Sequence, residues 1–205
     1  MSDDDPRLAD LGQFTPEGRL TPGYGDSYLF LVGRDSAQGV LHYLIPRESM
    51  TFKLNQFGYD DAALNADITD LMANPGVRVQ ATLDRSQAGG VHERQILADD
   101  LANDPNFYNS FVVGQSATHQ ISHTKGGVFV GLGIGYEGSM NWSGSGEGVG
   151  VSLDPKVKPA PGFAAQNNTL LVSTNPVFLA RFSARLDTEH VVALQQSAAR
   201  AAKAH

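Results

Sequence analysis

His123-Thr124-Lys125 and, further along, Glu137-Gly138-Ser139-Met140-Asn141-Trp142 carry most of the reactive chemistry in a sequence otherwise poor in it. An imidazole can attack phosphorus or move a proton near neutral pH. An ammonium, a carboxamide and a hydroxyl can hold the non-bridging oxygens of a phosphoryl group and offset the charge that develops on them. Together His123, Lys125, Ser139 and Asn141 can do this without a metal. His119 and His123 are four apart, which suits a metal on a helix but separates them along a strand, and no third ligand is evident. No metal or cofactor is expected, and His119 reads as a structural or supporting histidine.

The elements that must position these groups form a hairpin. Residues 121–130 and 134–142 are β-favouring, and Gly131-Leu132-Gly133 between them reads as a three-residue loop with glycine where positive φ is needed. A turn centred on Leu132 sets His123 opposite Asn141 and Lys125 opposite Ser139. Strand side chains alternate faces, and directly opposed Cβ atoms lie roughly 4.5–5.5 Å apart. Four polar groups would then converge on one patch about the width of a phosphate.

These residues resemble the phospholipase D superfamily, whose motif joins His-X-Lys to a hydrophobic strand with an Asp, then Gly-Ser and an Asn. His123, Lys125, Gly138, Ser139 and Asn141 match it. The resemblance extends upstream over 50–57, the helix after it and 77–84, and downstream over 168–173 and 175–186. It implies an α/β fold, an αβα sandwich with a mixed central sheet. It also implies a metal-independent phosphodiesterase working through a phosphohistidine on His123, with Lys125, Ser139 and Asn141 gripping the phosphate. Only one motif is present, so resemblance to single-motif members implies a homodimer that brings two His123 residues together. Nucleic-acid phosphodiesters are the expected substrate, and a phospholipid headgroup is the alternative. The chain departs from the pattern in two places. The motif Asp falls at Val130, and the region where related nucleases carry a supporting Glu reads Gln166-Asn167-Asn168. Glu137, Glu147, His119 and Asn167 are the candidates for that supporting role. The rival reading is a phosphate-binding protein that kept the fold and lost turnover.

Composition sets the limits. The 205 residues carry a net charge of −7 and 41% hydrophobic residues, which suits one globular domain and argues against broad electrostatic attraction to nucleic acid. Arg78, Arg85 and Arg94 read as solvated charges. Cysteine is absent, which excludes disulfides and thiolate metal sites. The acidic start Met1-Ser2-Asp3-Asp4-Asp5 lacks the apolar core of a signal peptide, and no apolar run approaches a membrane span, so a cytoplasmic location is expected.

Residues 1–25 read as an N-terminal tail or cap, 26–190 as the phosphodiesterase domain, and 191–205 as a helix end or tail, frayed over its alanines. Within the domain, 27–32 reads as a strand and Asp35 as the N-cap of a helix, with Gln38 completing a capping box. A strand follows over 50–57, then a helix opened by Asp60 or Asp61 and a strand over 77–83 that ends in Asp84. A weaker helix covers 91–102, and 111–113 is a short strand. Residues 144–162 read as a long flexible loop. Asp84 reads first as a strand-end turn carboxylate. Trp142, Tyr136 and Phe129 read as core. Strands alternating with helices, plus one hairpin, give the mixed sheet independently of the resemblance.

Overall fold

The computed structural model describes residues 4–86, 94–95, 98, 109–118, 120–148, 150–151, 156–158 and 165–203. In chain order its elements are α1 (Pro6–Ala9), β1 (Ser27–Leu31), α2 (Ala37–Leu44), β2 (Thr51–Gln56), α3 (Ala62–Met72), β3 (Arg78–Asp84), β4 (Ser110–Gly114), β5 (Lys125–Phe129), β6 (Ile134–Gly138), α4 (Gly144–Glu147), β7 (Thr169–Ser173) and α5 (Pro176–Lys203). The seven strands make one sheet in the order β1-β7-β6-β5-β2-β3-β4. β2, β3 and β4 run parallel and the other pairings are antiparallel. This is the expected α/β sandwich with a mixed sheet.

The alternation along β2 and β3 explains the two layers. Phe52, Leu54, Val79, Ala81 and Leu83 are buried in one apolar core with Val40, Leu41 and Leu44 of α2 and Leu64, Ile68 and Leu71 of α3. The intervening residues are polar and meet α5. Lys53 Nζ donates to Ser183 Oγ at 2.8 Å and Asp187 Oδ2 at 2.7 Å. The His190 ring bridges the hydroxyls of Thr82 and Ser110 at 3.0 and 2.8 Å. Burial pushes His190 down to about 4, so it sits neutral between them. Polar groups shut away from water need such partners, and α5 supplies them.

The N-terminal segment is packed: Leu8 and Leu11 are fully buried. α5 continues to Lys203, and Arg200 Nη2 donates to the Val113 carbonyl at 2.7 Å. Asp61 is the N-cap of α3, accepting the Leu64 N–H at 2.6 Å. Asp35 is not a cap. Ser36 holds that position, and the Asp35 carboxylate instead accepts the Leu31 N–H and pairs with Arg34. Gln38 accordingly forms no capping box and reaches across to Asp61 and Glu147. The expected loop over 144–162 begins as a helical turn, capped by Ser143 Oγ and closed by Gly148 at φ 72°. Most of the rest of that loop, and of the expected helix over 91–102, lies outside the described residues.

The hairpin register differs from the expected one by a single residue. Phe129 pairs with Ile134 and Gly126 with Glu137, so four residues form the loop and Lys125 stands across from Gly138. The cause lies on the neighbouring strand. The Val130 N–H is taken by the Thr51 carbonyl, and the Gly131 N–H by the Glu48 carboxylate, both at 2.9 Å. These contacts draw the start of the loop onto β2, and Gly133 closes it at φ 61°. A one-residue slip exchanges the faces of a strand, so His123–Asn141 and Lys125–Ser139 are not cross-strand pairs.

Gly138 shows how tightly the motif is built. A Cβ there would lie 2.0 Å from the Thr169 carbonyl oxygen of β7. Gly138→Ala is expected to cost about 3 kcal/mol or more, because backbone rather than a flexible side chain must give way. Urea unfolding measures it, and a loss below about 1 kcal/mol would show that β6 and β7 can separate freely.

Candidate functional site

The candidate residues collect at the end of the sheet where β2, β3 and β4 finish and β5 begins, the edge at which open α/β sheets commonly place their sites. Lys125 opens β5 and His123 lies just before it. Lys125 is 3% exposed, and its ammonium donates to the His123 carbonyl at 2.8 Å. The Phe57 ring, just beyond β2, lies 4.5 Å from the His123 ring centroid and 4.8 Å from Lys125 Nζ. Both reactive groups therefore lie against the same aromatic ring. Burial pushes the Lys125 ammonium down to about 8, with the Asp84 carboxylate pulling the other way.

Asn141 reaches this region by a different route from the hairpin ladder. After Gly138 the chain leaves β5: the Trp142 N–H donates to the Gly58 carbonyl at 2.8 Å, and Tyr59 and Trp142 form a parallel bridge. Asn141 then packs on Gly58, where an added Cβ would lie 2.9 Å from its carboxamide carbon. Its Oδ1 is buried without a hydrogen-bond partner among the described residues. Trp142 is fully buried against Tyr59, as core.

Ser139 turns to β7. Its hydroxyl donates to Asn168 Oδ1 at 2.9 Å and accepts the Thr169 N–H at 3.1 Å. Asn168 is tied in turn to the Gly146 carbonyl, so this corner fixes the start of β7 against α4.

Glu137 is exposed on β6 and Asn167 is exposed before β7, while His119 lies outside the described residues. Glu147 is 6% exposed and forms a carboxyl pair with Asp61, joined by Gln38. Burial first, and the Asp61 carboxylate second, push Glu147 up to about 9. The shared proton belongs on Glu147, because Asp61 already accepts the N–H groups that open α3. The native state therefore holds this proton more tightly than the unfolded chain. The stability it contributes is complete below the ordinary value of 4.5 and is lost as pH climbs toward about 9. Glu147→Gln keeps a donor to Asp61 without a titrating group. It is expected to raise stability at pH 8 by about 1–3 kcal/mol and to flatten the decline between pH 6 and 9. Urea melts across that range check it; equal pH slopes in both proteins would place the proton elsewhere.

Three further residues join the site: Phe57 and Glu189, which sequence reasoning did not assign to it, and Asp84, which it read first as a strand-end turn carboxylate. Phe57 needed the pairing of β2 with β5 to bring it under His123 and Lys125. Asp84 is fully buried and accepts the Ser122 N–H at 2.6 Å. Glu189, from α5, meets Asn55 and the Ser122 hydroxyl. Among the described residues no group of three or more His, Cys, Asp or Glu could hold a metal ion, and no helix is long and apolar enough to cross a membrane.

No family model and no curated protein sequence matches the chain. Solved structures do. Nuc from Salmonella typhimurium, a phospholipase D family member, superposes with a TM-score of 0.58 at 11% identity, covering 82% of this chain and 96% of that one. NucT from Helicobacter pylori gives 0.59 at 15% identity, covering 81% and 96%. Phosphatidylserine synthase from Haemophilus influenzae Rd KW20 gives 0.51 at 16% identity, covering 78% of this chain and 36% of that one. The chain has the phospholipase D-like fold.

Proposed function

We propose that this protein is a metal-independent phosphodiesterase, with His123 as nucleophile and Lys125 and Asn141 as the phosphate grip. The observation that carries the reading is the Lys125 ammonium. It is buried, it can donate three hydrogen bonds, and among the described residues it makes one, to the carbonyl of His123. A buried cation left short of partners is costly. A phosphate oxygen beside His123 would complete its shell, and the side-chain N–H group of Asn141 could donate to a second oxygen.

An imidazole nitrogen of His123 attacks phosphorus as the bond to the leaving oxygen breaks, forming a phosphohistidine. The leaving oxygen takes its proton from a second histidine, which then removes a proton from the water that splits the N–P bond. One chain carries one motif, so His123 of a second copy supplies that group and the active species is a homodimer. Ser139 holds β7 in this scheme, and the charge that develops in the transition state falls to Lys125 and Asn141.

Bis-p-nitrophenyl phosphate turnover in excess EDTA tests the reaction, and acid quenching with labelled substrate tests the intermediate. Turnover that survives EDTA, with label held on His123, supports the scheme. No turnover on several phosphodiesters supports the rival, a phosphate-binding protein, which is favoured by the absence of any hydrogen bond to the His123 ring among the described residues. Nucleic acid is the preferred substrate. A steep fall of single-stranded DNA binding with rising salt would support it, and a flat salt response would favour a small headgroup.

A further inference from the structure

We propose that Asp84 is the carboxylate of this site, a positioning residue that fixes the peptide leading into His123 and supplies the counter-charge facing Lys125. The proposal rests on the phosphodiesterase reading and answers the question left by the missing motif acid. Val130, where that acid would fall, is 39% exposed at the hairpin loop, at the other end of β5 from Lys125. Glu137 is exposed, and Glu147 is committed to Asp61. Asp84 is a different case. It is fully buried at the end of β3, and both of its oxygens are in use. Oδ1 accepts the Ser86 N–H at 2.8 Å and the Ser86 hydroxyl at 2.6 Å, which pins the carboxylate. Oδ2 accepts the Ser122 N–H at 2.6 Å.

Ser122 is the residue before His123, and it is held a second time through its side chain. Its hydroxyl lies 3.3 Å from Asn55 Oδ1 and 3.4 Å from Glu189 Oε2. Asn55 Nδ2 donates to that same Glu189 oxygen, and Arg185 pairs with the other one. The peptide is thus clamped by β3 through its N–H and by β2 and α5 through its hydroxyl. That clamp sets where the His123 carbonyl lies, and this carbonyl is the acceptor of the Lys125 ammonium.

Among the described residues the charged groups around Lys125 are few. Asp84 faces it from β3 and His123 lies on its own segment. Phe57 from β2 and Gly138 from β6 bring no charge. Glu189 and Arg185 of α5 stand behind Ser122 and neutralise each other. Asp84 is therefore the counter-ion that keeps a desolvated lysine charged. Without it the ammonium loses its proton at lower pH, and the grip on phosphate fades from the alkaline side.

The test compares the full chain with Asp84→Asn and Asp84→Ser. Lysine 13Cε titration by NMR, with the Lys125→Arg spectrum assigning the signal, reads the ammonium directly. The pH profile of kcat/KM on bis-p-nitrophenyl phosphate reads its use. In the parent, Lys125 is expected to titrate near the value of about 8 set by burial. In Asp84→Asn the midpoint should fall by about one unit, and the alkaline limb of kcat/KM should move with it. Asp84→Ser keeps an acceptor for Ser122 without the charge. It covers the case in which the asparagine disrupts folding, and it should shift both readouts equally. An unchanged midpoint and an unmoved limb, with activity lowered evenly at every pH, would overturn the proposal and leave Asp84 a structural residue. If the parent turns nothing over, the phosphodiesterase reading fails by itself, and the NMR midpoint still decides the role of Asp84.

Discussion

His123→Ala is expected to lower kcat on any phosphodiester substrate by more than about 10⁴-fold, since removing a covalent nucleophile eliminates the reaction path rather than slowing it. The loss should come without a stability change. The His123 side chain is exposed, rests on Phe57, and accepts or donates no hydrogen bond among the described residues. Thermal unfolding should therefore be nearly unchanged, within about 0.5 kcal/mol, as for surface positions free of special contacts. His123→Asn should behave alike, because a carboxamide fills the space but cannot carry the phosphoryl group. Rates falling only about tenfold would mean that His123 orients substrate, and the covalent scheme would be abandoned.

Lys125→Met is expected to move activity and stability in opposite directions. Activity should fall about 10²–10³-fold, the usual loss when one preorganised group facing developing charge is removed. Stability should rise by about 1–3 kcal/mol at neutral pH. Methionine fills a similar volume without the desolvation that pushes Lys125 down from 10.5 to about 8. The sign of the pH effect follows. Between about 8 and 10.5 the unfolded chain binds this proton and the native chain has released it, so parent stability rises with pH across that window. The methionine variant lacks that rise. Paired urea melts at pH 7 and pH 10 measure both effects. A variant less stable than the parent at pH 7 would show that the ammonium is satisfied in the resting protein, and the argument for a phosphate partner would fail with it.

Much of this was legible in the sequence because local chemistry decided it. Asp61 capped α3 as its place before an apolar helix suggested, and Trp142, Tyr136 and Phe129 went to the core. What was not legible depended on partners distant in the chain. The hairpin slipped by one residue because Glu48 and Thr51 hold the start of its loop, and nothing between 121 and 142 encodes that. Asp35 looked like a cap and became the partner of Arg34 and of the Leu31 amide. The turn at Gly144–Glu147 did carry a signal, with Ser143 before it and Gly148 after it. The surrounding glycines hid it. Asp84 carried a signal in its place at the end of a strand, though that place suits a turn carboxylate equally; Phe57 and Glu189 carried none, since their relevance exists only once β2, β3 and α5 converge on Ser122.

Among the described residues the first and last strands are neighbours at one edge of the sheet: β1 pairs with β7, and β7 with β6. β1 therefore leaves the ribosome well before its partner and waits, unpaired, until β7 has been made. The clamp on Ser122 is completed later still, because Glu189 lies in α5, which follows β7 in the chain. Contacts of such span are reached slowly in folding. The site is thus completed late in biosynthesis, and a ribosome stalled before α5 would hold a chain that carries the whole motif but not the packing that aligns it.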